Sequence, residues 1–173
     1  MINKKLMAMA AIFFLLAIGS HIYIEAHPAP IEPSGFTLDE LLGGMEPQSD
    51  GEVLYNLDSK SVEGSVVSLY GWALMEGRST EFTNTVIGLQ DETGNLRVFT
   101  TEKVARPDVS TAFGDSLYEG SGFSAKCDMN GFPAGNYTVI LYFTDAEQNV
   151  YYYSNIPVTI IFDGEVAAYS EIE

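Results

Sequence analysis

Three consecutive tyrosines, Tyr151-Tyr152-Tyr153, carry the most specific chemistry the sequence offers. Aromatic faces stack on sugar rings, and along a strand successive side chains point to opposite sides. If Tyr152 faces a core, Tyr151 and Tyr153 form an exposed aromatic pair, a candidate ligand-binding surface for a glycan. The plainer reading is that tyrosine suits a half-buried strand and keeps a wettable tip. Trp72 lies in a long strand candidate and is expected as the core tryptophan.

Other reactive types are sparse. The chain has 173 residues with two histidines, His21 and His27, and one cysteine, Cys127. The body beyond residue 27 therefore has no imidazole for a triad, for proton transfer or for a metal site. A single cysteine excludes an intramolecular disulfide and any multi-cysteine zinc or iron–sulfur centre. Cys127, without a histidine partner, reads as a packed thiol rather than a nucleophile. No phosphate-cradling glycine loop opens a helix. Carboxylates are abundant, but no pair is marked out as a general acid and base. Asp91/Glu92 and Asp145/Glu147 put two acids in one turn each, the best calcium candidates, yet neither follows the alternating-acid pattern of a dedicated loop. The expectation is no catalytic residue, no resident metal and no cofactor.

The 24 acidic against eight basic residues set the formal charge at −16. Such a surface repels nucleic acid and anionic lipid, and it favours a soluble monomer.

The elements that must position the tyrosines begin after residue 50. Val53–Leu57, Ser65–Leu74, Thr83–Gln90, Leu96–Thr101, Gly122–Met129, Tyr137–Thr144, Val150–Ser154 and Ile156–Phe162 are short segments rich in Val, Ile, Thr, Tyr and Phe. Turn chemistry separates them, notably Asp91–Asn95 and Asp145–Asn149, which is the pattern of a sandwich or barrel. In Tyr137–Phe143 both alternating sets are apolar, which predicts a central strand covered on each side. Pro157 predicts an edge position for its strand. No sustained 3.6-residue apolar period follows the N-terminal run, which argues against helical classes.

Residues 1–26 have the layout of an export segment: Lys4 and Lys5, then 13 residues without a polar side chain from Leu6 to Ile18, then Gly19 and Ser20. Cleavage after Ala26 would make this a signal peptide. Alternatively Leu6 to Ile24, about 28 Å as a helix, reaches the thickness of a bilayer core and would serve as an anchor. Either way the remainder is delivered outside the plasma membrane, and contact with lipid is confined to the uncleaved segment. Residues 27–50 form a proline-rich linker with a one-turn helix: Thr37 as cap, Glu40 completing a capping box, Phe36 and Leu41 as a hydrophobic staple and Gly43-Gly44 as the stop. Residues 164–173 read as an acidic, mobile tail.

Two local motifs refine the class. In Arg106-Pro107-Asp108-Val109-Ser110-Thr111-Ala112-Phe113, Asp108 is expected to cap a single helical turn, with Val109 and Phe113 on one face plugging the end of a core. In Phe132-Pro133-Ala134-Gly135-Asn136-Tyr137, a tyrosine just after a glycine-containing crossover is expected to bury its ring and bond its hydroxyl to backbone, as a tyrosine corner does. Taken along the chain, Gly71-Trp72-Ala73, then Arg106-Pro107-Asp108-Val109 with Phe113, then Ser121-Gly122-Phe123, then Gly135-Asn136-Tyr137, in that order, resemble bacterial extracytoplasmic immunoglobulin-like β-sandwich modules of envelope and polysaccharide-associated proteins. The similarity spans about residues 62–162. It implies a non-catalytic accessory domain with no ligand residues to carry over. Multidomain relatives carry an enzyme; here any partner enzyme is expected to be a separate polypeptide.

The sequence thus predicts an all-β, immunoglobulin-like antiparallel sandwich of seven to nine strands over 51–163. The function expected is a non-catalytic module at the bacterial cell envelope that contacts an envelope protein or a surface polysaccharide. A dedicated carbohydrate-binding domain is the alternative, and a glycan-processing enzyme a more remote one.

Overall fold

The computed structural model describes residues 33–49 and 51–171. Residues 1–26, expected to be an export segment, and the first part of the expected linker lie outside the described residues. Among the described residues no helix is long and apolar enough to cross a membrane.

The chain is mostly β. In order come α1 (Leu38–Leu42), β1 (Glu46–Pro47), β2 (Leu54–Glu63), β3 (Val66–Leu74), β4 (Thr83–Asp91), β5 (Leu96–Val104), α2 (Pro107–Phe113), a 3-10 turn (Ser116–Tyr118), β6 (Gly122–Asp128), β7 (Gly135–Asp145), β8 (Val150–Phe162) and β9 (Ala167–Glu171). The strands form one curled, mixed sheet in the order β1-β8-β7-β4-β5-β6-β3-β2, with β9 also on β8. All pairs are antiparallel except β1 with β8.

The curl turns on β5. Its first half pairs with β4, from Leu96↔Gln90 to Thr100↔Val86. Its second half leaves β4 and pairs with β6, from Thr101↔Ala125 to Val104↔Gly122. One strand thereby joins two limbs, β8-β7-β4 and β6-β3-β2, whose concave sides share one apolar core. Leu69, Ile87, Phe123, Leu141, Phe143 and Ile160 are all but fully buried there. The free margins of the limbs approach each other. The Tyr55 hydroxyl donates to the Asn155 carbonyl at 3.2 Å, and Lys60 pairs with Glu171 at 2.7 Å.

β7 lies between β4 and β8, as its two apolar faces predict. Tyr137, Val139, Leu141 and Phe143 point into the core, while Ile140 and Tyr142 point to the convex side, where α1 covers them. Five helical residues would not persist alone. The Thr37/Glu40 capping box is present in full, Phe36 exchanges both backbone hydrogen bonds with Val98 at 2.8 Å, and Leu42 is buried against Val86, Val98, Ile140 and Tyr142. Tyr137 makes the expected corner: its ring is buried and its hydroxyl donates to the Pro133 carbonyl at 2.6 Å.

Several expectations are corrected. Residues 164–173 are not simply a tail, because Ala167–Glu171 form β9 on β8, with Ala167 buried. Glu46–Pro47, placed in the linker by the sequence, pair with Val150 and Tyr151. The two last strand candidates are one strand, β8, whose pairing with β7 shifts register between Thr138 and Ile140. Pro157 falls in the stretch of β8 between the β1 and β9 ladders, where its missing N–H leaves nothing unpaired. Asp108 is not the cap of α2. Pro107 holds the first helical position, and the Asp108 carboxylate instead takes two N–H bonds from Arg106, at 2.9 and 2.6 Å.

Candidate functional site

The tyrosine triplet alternates as the strand period requires. Tyr152 is 7% exposed and belongs to the main core. Tyr153, on the convex side, is 59% exposed. Tyr151 also lies on that side but is half-buried, because it packs at the margin of the cluster under α1. The expected exposed pair is therefore one open ring and one partly covered ring.

Between them lies Tyr142, which sequence reasoning did not single out. Its ring centroid is 6.0 Å from that of Tyr151 and 6.2 Å from that of Tyr153. Register explains the meeting: Tyr142 stands opposite Tyr153, and Thr144 opposite Tyr151. On its other side Tyr142 faces Val86 of β4, next to Gly88. A Cβ at Gly88 would lie 2.8 Å from Cε2 of Tyr142. The missing side chain thus leaves the room that the Tyr142 ring occupies over Gly88, tilted against its two tyrosine neighbours. Burial, and then the neighbouring Tyr151 and Tyr153, push the Tyr142 phenol up to about 12; it stays a neutral hydroxyl at any physiological pH.

The surroundings of Tyr153 carry no charge along the ladder. Its outward neighbours on β7 and β8 are Ile140, Tyr142, Thr144, Tyr151 and Asn155, and Asn84 of β4 stands opposite Thr144. Asn84 and Asn155 are exposed amides, each able to donate and accept. On a chain of charge −16 this is a neutral, aromatic face flanked by amides.

The remaining candidates are held in structural roles. Asp91 Oδ1 accepts from the N–H groups of Thr93 and Asn95 and from the Thr93 hydroxyl, and Oδ2 accepts from the Asn95 amide. The Thr93 and Asn95 side chains lead in holding its carboxyl down to about 2. Asp145 is buried, accepts from the backbone of Glu147 and Gln148, and lies 3.6 Å from Arg78. Both carboxylates are spent on closing their own hairpin turns. Among the described residues no group of three or more His, Cys, Asp or Glu converges. Cys127 is fully buried, and burial pushes its thiol up to about 12, far from a reactive thiolate.

Trp72 is not the core tryptophan. It is half-buried on the convex side of β3, in a satellite cluster with Leu74, Val109 and Tyr118. Phe113 of α2 meets it edge-on at 5.7 Å and meets Tyr118 at 5.8 Å. Val109 is buried as expected, whereas Phe113 remains 39% exposed. Arg106 fixes this end. Its guanidinium, 11% exposed, bridges Asp58 of β2 at 2.5 Å and Asp108 at 2.6 Å, and it lies 5.9 Å from the Tyr70 ring. Hydrogen bonds to Asp108 and Asp58 raise its pKa despite burial, so it is a permanent cation.

Comparison with protein-family models and with curated proteins gave no match.

Proposed function

We propose that this chain is a non-catalytic, exported binding module of the bacterial cell envelope, and that its tyrosine face holds an uncharged surface polysaccharide. The carrying observation is that face: an exposed Tyr153 ring braced by Tyr142, which Tyr151 meets from its other side, with the Asn84 and Asn155 amides on the same face and no charge among its ladder neighbours on β7 and β8. A sugar ring stacks on an aromatic face and takes hydrogen bonds from amides, and the acidic remainder of the protein repels polyanions. We further read the fold as an immunoglobulin-like sandwich, its two limbs being the two layers. The limb orders β8-β7-β4 and β6-β3-β2, the strand shared between them and the tyrosine corner at Tyr137 all support this. The export segment 1–26 and the resemblance of the ordered motifs support the location.

Intrinsic tyrosine fluorescence, titrated with a neutral glucan and with a polyanionic glycan, tests the reading. The neutral polymer should give a saturable response, Tyr153→Ala should abolish it with the melting temperature unchanged, and the polyanion should give none. A response retained in Tyr153→Ala would dispose of this surface. A second reading, contact with an envelope protein, is favoured by the apolar side chains exposed at the other end, Phe113 at 39% and Leu117 at 41%. It requires a membrane protein that co-purifies with Tyr153→Ala but not with a Phe113→Ser/Leu117→Ser double variant.

A further inference from the structure

The parting of β4 and β5 leaves a second feature, independent of the tyrosine face. Beyond Val86↔Thr100 the two strands separate, so carbonyls at the start of β4 lose their ladder partners on that side. Buried backbone acceptors must be satisfied by something. Side chains of β5 do it here. The Thr101 hydroxyl donates to the Thr85 carbonyl at 2.7 Å. The Lys103 ammonium donates to the Thr83 carbonyl at 2.8 Å and to the Thr80 carbonyl at 2.5 Å. An ammonium has three protons, and these bonds use two.

The cleft so formed contains a cavity of about 10 Å³ lined by Ala73, Thr83, Thr85, Lys103, Ser121 and Phe143, among others. Ser121 is 3% exposed. Its backbone is fully engaged: the N–H bonds the Tyr118 carbonyl at 3.1 Å, and the carbonyl accepts from Ala73 at 2.9 Å. Its Oγ has no protein hydrogen-bond partner among the described residues and is shielded from solvent. An unmet buried hydroxyl costs about 1–3 kcal/mol.

We infer that this cavity is a binding site for one structural water, held between Ser121 Oγ and the third proton of the Lys103 ammonium. The volume matches a single water, and the lining supplies a hydroxyl, an ammonium donor and the polar edge of β4, which meets the conditions for internal hydration. The water completes the polar seam that knits the β3–β4 connection to β5 and to the start of β6. Burial of the ammonium lowers the Lys103 pKa, and a water there offsets part of that loss of solvation.

The test is oxygen-17 relaxation dispersion on the full chain, whose amplitude counts long-lived internal waters. Ser121→Val puts two methyl groups where the hydroxyl stood and so fills the space; the amplitude should fall by that of one water. An unchanged amplitude in a folded Ser121→Val protein overturns the site. Should that variant fail to fold, a crystal structure of the unaltered chain decides. A discrete solvent peak about 2.7–3.2 Å from both Ser121 Oγ and Lys103 Nζ upholds the proposal, and featureless density in the cavity overturns it.

Discussion

Two aromatic clusters sit on the convex side of the same sheet, and they have been finished differently. On β3, Trp72 is roofed by α2, with Phe113 meeting it edge-on and Tyr118 edge-on to Phe113 behind, and with Arg106 tying the helix down to Asp58 of the margin strand β2. On β7 and β8, Tyr142 is covered by Leu42 of α1 and by its two neighbours, but the cover stops short and Tyr153 stands open. Aromatic density is similar in the two regions. What separates a packed corner from a candidate binding face is how far the covering helix reaches and whether a charge clamp holds it there.

The comparison can be broken at several points. Arg106→Ala should have the largest effect, about 3 kcal/mol in urea unfolding, at the low end for a buried ion pair because the exposed Asp108 carboxylate rehydrates. It should also release α2 and red-shift Trp72 emission, while the tyrosine face stays intact. Equal loss of glycan response would mean that the two regions are not independent.

Gly88→Ala comes next. The added Cβ, 2.8 Å from the Tyr142 ring, should cost about 2 kcal/mol through overpacking and tilt the ring away from Tyr153. Binding should weaken although no residue of the open surface has changed. Tyr137→Phe removes the hydroxyl bond to Pro133 and should cost about 1 kcal/mol by thermal or urea melts, leaving both clusters unaltered.

Tyr153→Ala should be the mildest in stability, within about 0.5 kcal/mol, since the ring is mostly exposed. That contrast, no stability change with complete loss of binding, is the sharpest statement of the difference between the clusters. Alkaline titration adds a pH signature. Tyr142 is raised from 10.0 to about 12, so the folded chain holds this proton more tightly than the unfolded one. Its contribution is whole below pH 10 and is lost as the pH rises toward 12. Ultraviolet phenolate absorbance should show a late-titrating fraction that includes Tyr142, and Tyr153→Ala, by removing a neighbouring phenol, should bring the Tyr142 part slightly earlier.

Local chemistry was legible residue by residue. The capping box of Thr37 and Glu40, the tight turn closed by Asp91 and the bonded hydroxyl of Tyr137 all involve partners within four positions, where spacing nearly dictates geometry. The opposite facing of Tyr152 and Tyr153 follows from the strand period. Misreadings arose where a distant partner intervened. Asp108 looked like a helix cap until Arg106, itself drawn to Asp58 some 48 positions away, took its carboxylate. Trp72 looked like core because it lies in a long strand, but membership of a strand does not say which of its two sides is concave. The tail looked free because acidic residues rarely make strands alone; β8 offers it an edge, and Lys60 of β2 a counter-charge for Glu171.

The sequence by itself determined that the chain is strand-built, where its turns fall, and that alternate tyrosines of the triplet face opposite ways, because a period of two and a turn of four residues are short-range physics. Only the tertiary structure decided that Tyr142 joins Tyr151 and Tyr153, that Gly88 makes room for its ring, and that β5 opens a polar seam when it changes partners. Those facts depend on strand register and sheet curl, which are set by burying one shared core between segments far apart in the chain, and no local spacing encodes them.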